Sequence, residues 1–512
     1  MIGIGGNRTI VDLFEENVEC VPDKPFVHFA GTELSYGDMG RMSAKVAEAL
    51  LEAGIGGRGR VALSITNRPA FLVAFLGILR CGATVVPLNT LFKPDEVRYA
   101  LEHAQCQAIV TEKTLGTIVS EACNLVGHEV AVLIAGTGDE GSFLLANARD
   151  NVACEPERKA KPMPGDLAGI FYTSGTTARP KGVMISHENL LYSAEVTIKS
   201  LGLGANDIPL LAFPLFHVNS LFYGILTAIV LQGAVGLVRG FSVSAYWKDA
   251  LQAGATWTPG ITGPMARLLH QQDESDAETR HTMRFAVGGM FTSIDQIRDF
   301  GKRFGVTLIQ GWSMTETVSL GTLHPVDRPT PIPLVTGIGY PTLGQEIRLI
   351  RDDGSEAAVG EPGEMLYRSP SLFGGYLNDE QATRESFTDD GWFRTGDVAC
   401  MDENGYLAFM DRKKEMIKTK GENVAAAEVE RALNEHPGVQ ESAAIGVPDQ
   451  DGLWGEHIEA YVVRGVEAGI EGAELMQWVG QRLADFKVPR VIHFIDQLPK
   501  TPLGKIQRQR LR

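Results

Sequence analysis

The stretch Tyr172-Thr-Ser-Gly-Thr-Thr-Ala-Arg-Pro-Lys-Gly182 says more about this chain than any other segment. Four serine or threonine side chains, two glycines and a lysine follow the apolar run 167–171. A strand that ends in such a loop can bind a polyphosphate, because backbone N–H groups and hydroxyls donate hydrogen bonds and the lysine adds positive charge. The spacing is not that of the common P-loop, since Pro180 precedes Lys181 and Gly182 follows it. The pattern predicts a phosphate-binding loop, and the alternative is a solvated turn.

Size and composition are those of an ordinary globular protein. The 512 residues suffice for two or more domains with a large buried core. Hydrophobic residues make up 44% and charged residues 21% of the chain, as in typical soluble proteins. The net charge of −16 argues against nucleic acid as a partner, because binding to a phosphate backbone needs a basic surface.

The cysteines and the hydropathy of the chain predict its cellular location. The six cysteines include no C-x-x-C pair, so we expect neither a zinc site nor a disulfide framework, and the expected location is a reducing cytoplasm. The N-terminus has no basic flank followed by an apolar core, so we expect no secretory signal. The apolar stretch 220–238 contains Gln232 and three glycines, which favours a buried helix and a short strand over a membrane span.

Strand-like apolar runs alternate with helical patterns over most of the chain. Examples are the predicted strand 60–66, helix 69–80, strand 83–87 and helix 94–103. This alternation predicts the α/β class, with mostly parallel sheets layered with helices.

The residue composition changes at the charged segment 411–421, which ends in Gly421. Beyond it we predict helix 425–435, strands 443–447 and 459–463, and helix 473–484. The sequence therefore predicts a large N-terminal domain over residues 1–411 and a small α+β C-terminal domain over residues 412–512.

The loop 172–182 resembles the phosphate-binding signature of the adenylate-forming superfamily, which includes acyl-CoA synthetases, peptide-synthetase adenylation domains and luciferases. The resemblance extends from about residue 8 to the C-terminus. It implies a mobile C-terminal domain with a hinge near 411–414 and Lys414 as the pivot residue. It also implies an ATP site whose phosphates are bound by Thr173, Ser174, Gly175, Thr176, Thr177 and Lys181.

A second matching segment is Trp312-Ser-Met-Thr-Glu316. A Thr-Glu pair on its own more often marks the start of a helix. Here the resemblance implies Glu316 as the Mg²⁺ ligand, with Thr315 near the α-phosphate, and Mg²⁺ indeed prefers carboxylates and phosphate oxygens. The implied adenine site consists of Trp312 and the segment Gly288-Gly289-Met290.

The segment Gly391-Trp-Phe-Arg-Thr-Gly-Asp397 resembles the ribose-binding segment of the same superfamily. An isolated Thr-Gly-Asp is usually only a turn. Because a carboxylate can accept hydrogen bonds from both vicinal hydroxyls, the resemblance implies Asp397 as the ribose ligand. It implies Arg412 as a second group that supports the ribose or a phosphate.

The last matching segment, Pro499-Lys-Thr-Pro-Leu-Gly-Lys505, implies that Lys505 reaches the active site from the C-terminal domain. When a carboxylate attacks the α-phosphorus, two anions approach and negative charge builds on the phosphoryl oxygens. A lysine that bridges the two groups counters both charges. The alternative is a solvated lysine in a C-terminal tail.

The segment 213–220 resembles the lining of the superfamily's acyl pocket, with His217 at the aromatic gate position. The alternative is an ordinary core histidine with a satisfied hydrogen bond. Val218, Met290 and Ser313 are implied as further lining residues. Amino-acid-activating relatives place an aspartate where this chain has Val218, which argues against a free α-amino acid and favours an acid with an apolar or neutral body.

The resemblance implies an AMP-forming acid–CoA ligase that uses a small-molecule carboxylic acid, ATP, Mg²⁺ and CoA, with Gly421, Glu422 and Asn423 facing the pantetheine. The first alternative is transfer of the acyl group to an amine or to a carrier-protein phosphopantetheine. The second is a half-active relative that uses supplied acyl-adenylate, since Ala178 and Ser313 stand where the superfamily usually has glycine. A homodimer is compatible with the resemblance, but the sequence specifies no interface.

Overall fold

The structure is a computed structural model. It describes residues 6–136, 143–145, 161–173, 179–289, 294–326, 337–351, 353–412, 416–420, 422–449, 455–465, 469–499, 506 and 508–511.

The first part of the chain alternates helices and short strands, as predicted. Its elements are α1 (Ile10–Cys20), β1 (Pro25–Phe29), β2 (Thr32–Ser35), α2 (Tyr36–Glu52), β3 (Arg60–Ser64), α3 (Pro69–Arg80), β4 (Thr84–Pro87), α4 (Pro94–His103), β5 (Ala108–Glu112), α5 (Gly116–Leu125), β6 (Ala131–Ala135) and β7 (Phe143–Leu145). A 3₁₀ turn, Lys113–Leu115, precedes α5. The predicted helices 69–80 and 94–103 are α3 and α4, with the same bounds.

The middle of the chain supplies most of the remaining strands. Its elements are β8 (Leu167–Thr173), β9 (Lys181–Ser186), α6 (His187–Leu201), β10 (Leu210–Leu211), α7 (Leu226–Val230), β11 (Val235–Leu237), α8 (Tyr246–Gln252), β12 (Trp257–Thr262), α9 (Gly263–His270), α10 (Asp276–Arg280), β13 (Phe285–Gly289), α11 (Ile294–Phe304), β14 (Thr307–Trp312), β15 (Thr322–Leu323), β16 (Gly337–Pro341), β17 (Glu346–Ile350), β18 (Gly363–Arg368), α12 (Glu380–Glu385), β19 (Phe393–Met401) and β20 (Leu407–Arg412). A π-helical segment, Asn219–Ile225, leads into α7, so the apolar stretch 220–238 is a helix followed by a strand, as predicted. Among the helices described, none is both long and apolar enough to cross a membrane.

The predicted phosphate loop lies at the edge of a seven-stranded sheet, whose order is β7-β6-β5-β3-β4-β8-β9. The five inner strands are parallel, and β7 and β9 are antiparallel to their neighbours. Helix α3 is apolar all round, and every residue except Arg80 is buried. Gly77 allows α2 to approach α3 closely, because a Cβ there would lie 2.6 Å from the Cβ of Val46.

The second large sheet is mixed rather than mostly parallel. Its order is β12-β13-β14-β15-β16-β20-β19-β18-β17, and only β12, β13 and β14 are parallel. The other strand pairs in this sheet are antiparallel. Of these, β19 and β20 are joined by a short turn through residues 402–406, where Gly405 has a φ of 80°. A four-stranded sheet with the order β10-β11-β1-β2 also belongs to the described portion of the large N-terminal part.

The C-terminal part has its own hydrophobic core. Its elements are β21 (Met416–Thr419), β22 (Glu422–Ala425), α13 (Ala426–Asn434), β23 (Val439–Pro448), β24 (Glu456–Arg464), α14 (Gly472–Gly480) and β25 (Val491–Phe494), with 3₁₀ turns at Asp485–Lys487 and Arg508–Arg510. One buried cluster extends from Ile417 to Phe486 and contains only residues of this part. The α/β class with a large N-terminal and a small α+β C-terminal domain is confirmed, whereas the boundary at residue 411 stays a prediction.

Candidate active site

The ends of the predicted phosphate loop are the facing ends of a β-hairpin. Thr173 ends β8 and pairs with Lys181, which begins β9. The four loop residues predicted between them lie outside the described residues: Ser174, Gly175, Thr176 and Thr177. Ala178, the departure noted in this loop, lies outside them as well.

Helix α4 contacts both ends of this hairpin loop. The Tyr99 hydroxyl donates a hydrogen bond to the carbonyl oxygen of Pro180, at 3.0 Å. The Nδ1 atom of His103 and the hydroxyl of Tyr172 are 2.9 Å apart. Side chains of one helix therefore contact the residues that flank the loop on both sides.

Glu316 is linked to Lys181 through Tyr376. The Tyr376 hydroxyl donates to Glu316 Oε1 at 2.9 Å, and Lys181 Nζ lies 4.6 Å from the centre of the Tyr376 ring. Burial and the nearby charge of Glu316 raise the pKa of Tyr376, so the hydroxyl keeps its proton and donates. Sequence reasoning missed Tyr376, because Gly374-Gly375-Tyr376 reads only as a turn; in the structure, its neighbours pair with β9, where Leu377 N donates to the carbonyl of Gly182 at 2.8 Å.

The donor set around Glu316 fits Mg²⁺ that is shared with a polyphosphate. Mg²⁺ usually takes one or two protein carboxylates and completes its octahedron with phosphate oxygens and water. Glu316 is 7% exposed and offers carboxylate oxygens next to Thr315. Within the described part of the chain, no group of three or more His, Cys, Asp or Glu side chains could bind a metal alone.

The predicted adenine and ribose residues contact each other directly. The indole N–H of Trp312 donates to Asp397 Oδ2 at 2.8 Å, and the two side chains are 8% and 2% exposed. The Tyr367 ring packs edge-on against the indole, with 5.7 Å between ring centres. The backbone of Arg412 pairs with that of Asp397 across β19 and β20, so both predicted ribose residues lie at one place in the sheet.

The glycines predicted to lie near the adenine end strand β13. A Cβ at Gly288 would lie 1.7 Å from the carbonyl oxygen of Ile261 on β12, so the two backbones approach more closely than any side chain allows. A Cβ at Gly289 would meet nothing within 4 Å. Gly289 therefore borders open space on the side where the adenine is predicted to lie. Met290, the third predicted residue, lies outside the described residues.

A cavity of about 620 Å³ connects several of the predicted site residues. Thr173, Thr315, His217 and Val218 all line it. The wall predicted to face the acyl group is mainly apolar and is formed by Ala212, Phe213, Phe216, His217, Val218, Asn219, Gly240, Phe241, Thr262 and Met265. Ser313 is half-buried and is not among the described residues that line this cavity.

The C-terminal part contributes the opposite wall, through Lys420, Glu422, Phe486 and Lys487. Glu422 Oε1 lies 3.1 Å from His217 Nε2. Burial acts to raise the pKa of the Glu422 carboxyl, but His217 and Lys487 outweigh burial and hold that pKa below its ordinary value. The residue predicted to face the pantetheine therefore contacts the predicted gate residue.

Several predicted residues are placed only partly or not at all. Asn423 pairs through its backbone with Lys418 in the β21–β22 hairpin. Gly421, the predicted hinge residue Lys414 and the catalytic candidate Lys505 lie outside the described residues.

Known proteins resemble this chain over nearly its full length. The profile of the AMP-binding enzyme family matches residues 14–377, and that of the AMP-binding enzyme C-terminal domain matches residues 428–505. The chain is 33% identical to a sulfoacetate–CoA ligase of Cupriavidus necator, over 98% of this chain and 97% of the relative. It is 32% identical to a feruloyl-CoA synthase of an Amycolatopsis species, over 96% of each chain.

A solved structure has the same architecture. The amide bond synthetase McbA from Marinactinospora thermotolerans aligns over 99% of both chains, with a TM-score of 0.83 and 25% identity. The two domain matches and the full-length likeness to CoA ligases show that the chain belongs to the AMP-binding enzyme family, in its acyl-CoA synthetase branch.

Proposed function

We propose that this protein joins a carboxylic acid to CoA in two steps at one active site. In the first step, ATP and the acid form an acyl-adenylate and pyrophosphate; in the second, the CoA thiol attacks the acyl carbon and AMP leaves. The observation that carries the proposal is the single cavity that reaches from Thr173 and Thr315 past His217 to Glu422 of the C-terminal domain. A thiol that enters between the domains would meet an acyl group there.

In the first step, the residues act by binding and by balancing charge. The hairpin loop with Lys181 would bind the β- and γ-phosphates, and Asp397 would accept hydrogen bonds from the ribose hydroxyls. Glu316 would hold Mg²⁺, which when bound would supply positive charge to the departing pyrophosphate. Lys505 would lie between the substrate carboxylate and the α-phosphate, where negative charge develops.

In the second step, Glu422 and His217 would define the thiol entrance. The contact between Nε2 and Oε1 fixes the orientation of the imidazole, and the lowered pKa keeps the Glu422 carboxyl ionised at neutral pH. Gly421 and Asn423 would flank the pantetheine.

The lining of the cavity favours an acid with an apolar or neutral body. Phe213, Phe241, Met265 and Val218 present mainly hydrocarbon surface on the acyl side. A strongly anionic acid body would lose hydration there and, among the described residues of this wall, would meet only His217, Asn219 and Thr262 as polar groups. We therefore expect aromatic or medium-length aliphatic acids to outperform sulfonated ones. We further propose a cytoplasmic location and a homodimer, on the family resemblance alone.

The test is a competition for the acceptor. A panel of short, medium, long-chain and aromatic acids would first be screened by acid-dependent ATP–pyrophosphate exchange. The best acid would then be incubated with ATP, Mg²⁺, CoA and a mixture of amines, and the products identified by mass spectrometry. We expect acyl-CoA and AMP.

A second candidate is an amide-forming ligase, because the chain also aligns with McbA over 99% of both chains, at a lower identity of 25%. Formation of an amide without acyl-CoA in the competition experiment would favour this second candidate. Absence of exchange with every acid would point instead to a relative that uses only supplied acyl-adenylate.

A further inference from the structure

Lys487 is a buried lysine that sequence reasoning did not single out. It lies on the 3₁₀ turn Asp485–Lys487 of the C-terminal domain and is 3% exposed. Its ammonium contacts two carboxylates: Nζ is 2.8 Å from Glu96 Oε1 and 2.9 Å from Glu428 Oε1.

The two carboxylates belong to different domains. Glu428 is on α13 of the C-terminal domain, whereas Glu96 is on α4 of the large domain, 391 residues before Lys487 in the chain. The bond to Glu428 therefore stays within one domain, while the bond to Glu96 exists only when the two domains have their present orientation.

Charge and burial make this contact specific for one orientation. Burial acts to lower the pKa of Lys487, but Glu428 and Glu96 outweigh it, so the ammonium keeps its charge. The Phe92 ring adds a further contact, with 5.0 Å from Nζ to the ring centre. Because a buried charge pair is short-ranged and geometrically demanding, a small rotation of the C-terminal domain would break it.

The same domain orientation brings together Glu422 and His217, the residues proposed to lie at the thiol entrance. Lys487 and Phe486 line the cavity in which Glu422 contacts His217. We propose that Lys487 is a positioning residue for acyl transfer: by binding Glu96, it holds the C-terminal domain where Glu422 meets His217, and it releases Glu96 when the domain turns for adenylation. The inference rests on the proposed two-step reaction.

The decisive variant is Glu96→Gln, which keeps the size of the side chain and removes its charge on the large-domain side. Two half-reactions are measured: acid-dependent ATP–pyrophosphate exchange, and acyl-CoA formation from supplied acyl-adenylate. We expect exchange within about twofold of the unmodified protein and a loss of roughly tenfold or more in acyl-CoA formation. Lys487→Met should give the same split.

The matched control is Lys93→Ala. Lys93 Nζ and Asp485 Oδ1 also join the two domains, at 3.0 Å, but their side chains are 29% and 88% exposed. A solvated ion pair contributes little, so both half-reactions should stay unchanged. Melting temperatures of all variants would be compared, and Glu96→Gln remains informative if Lys487→Met does not fold.

Three results would overturn the inference. Equal loss in both half-reactions of Glu96→Gln would mean a general structural role, and unchanged acyl transfer would mean that the pair does not position the domain. If the unmodified protein forms no acyl-CoA from supplied adenylate, the proposed function fails and the inference fails with it.

Discussion

At the scale of single residues, the contact between Trp312 and Asp397 is the feature with the clearest functional consequence. The indole N–H occupies Oδ2 of the carboxylate and fixes the direction in which the other oxygen points. We expect Trp312→Phe to raise the KM for ATP roughly tenfold with little change in kcat, because a hydrogen bond to a charged group contributes about 1.5–3 kcal/mol. Pyrophosphate exchange at varied ATP concentration measures this effect.

Tyr367→Phe is the control for that substitution. It keeps the ring that packs on Trp312 and removes only the hydroxyl, which bonds to Gln345. An unchanged KM is expected. If Trp312→Phe also left the KM unchanged, Asp397 would be positioned without the indole.

Many candidate site residues could be named from the sequence, but few of the contacts between them could be predicted. Motifs such as the loop 172–182 are local, so their residue types can be read directly. The hydrogen bonds from Trp312 to Asp397 and from Tyr376 to Glu316 span 85 and 60 residues, respectively. Such contacts depend on which strands become neighbours in the sheet, and residue spacing carries no information about that.

At the scale of elements, strand β13 ends in two adjacent glycines that differ in the space available for a Cβ. Gly288→Ala would place a Cβ against a backbone oxygen of β12, which cannot move without disturbing the sheet. We expect a lower melting temperature, since overpacking typically costs about 1–3 kcal/mol or more. Gly289→Ala should leave the melting temperature nearly unchanged and raise the KM for ATP, because its Cβ would enter the space proposed for adenine.

Thermal unfolding of both variants, with exchange kinetics on the folded protein, checks this prediction. Equal melting temperatures would show that β12 adjusts to the added Cβ. An unchanged KM in Gly289→Ala would move the adenine elsewhere.

Elements with strong local signals were predicted well, and paired elements were not. Helices α3 and α4 each begin with a proline, which marks their first turn. The mixed sheet was not foreseen, because strands such as β15 have two residues and no periodicity to detect. Most of its antiparallel pairs join strands that are separated by long segments of chain or, like β16 and β20, by other strands.

At the scale of the whole molecule, the two half-reactions should depend on different faces of the C-terminal domain. We expect Lys505→Ala to abolish pyrophosphate exchange while acyl-CoA formation from supplied adenylate stays largely intact, because Lys505 would counter charge only in the first step. This is the reverse of the split expected for Glu96→Gln.

Lys505→Ala and Glu96→Gln should therefore be measured side by side in both half-reactions. Loss of both half-reactions in Lys505→Ala would contradict the assignment of one face to each step. The domain rotation itself was expected from resemblance, whereas the Lys487 pair was not. An isolated lysine in a 3₁₀ turn carries no pattern, and its partner Glu96 lies 391 residues away.

The ion pair between Lys487 and Glu96 also restricts how this protein can be recombined with its relatives. A hybrid that joins this large domain to a foreign C-terminal domain would bury Glu96, 9% exposed here, against whatever residue replaces Lys487. Without a cation there, the carboxylate would have to take up a proton or keep water at the junction. Successful hybrids should therefore inherit α4 and the turn at 485–487 from the same parent.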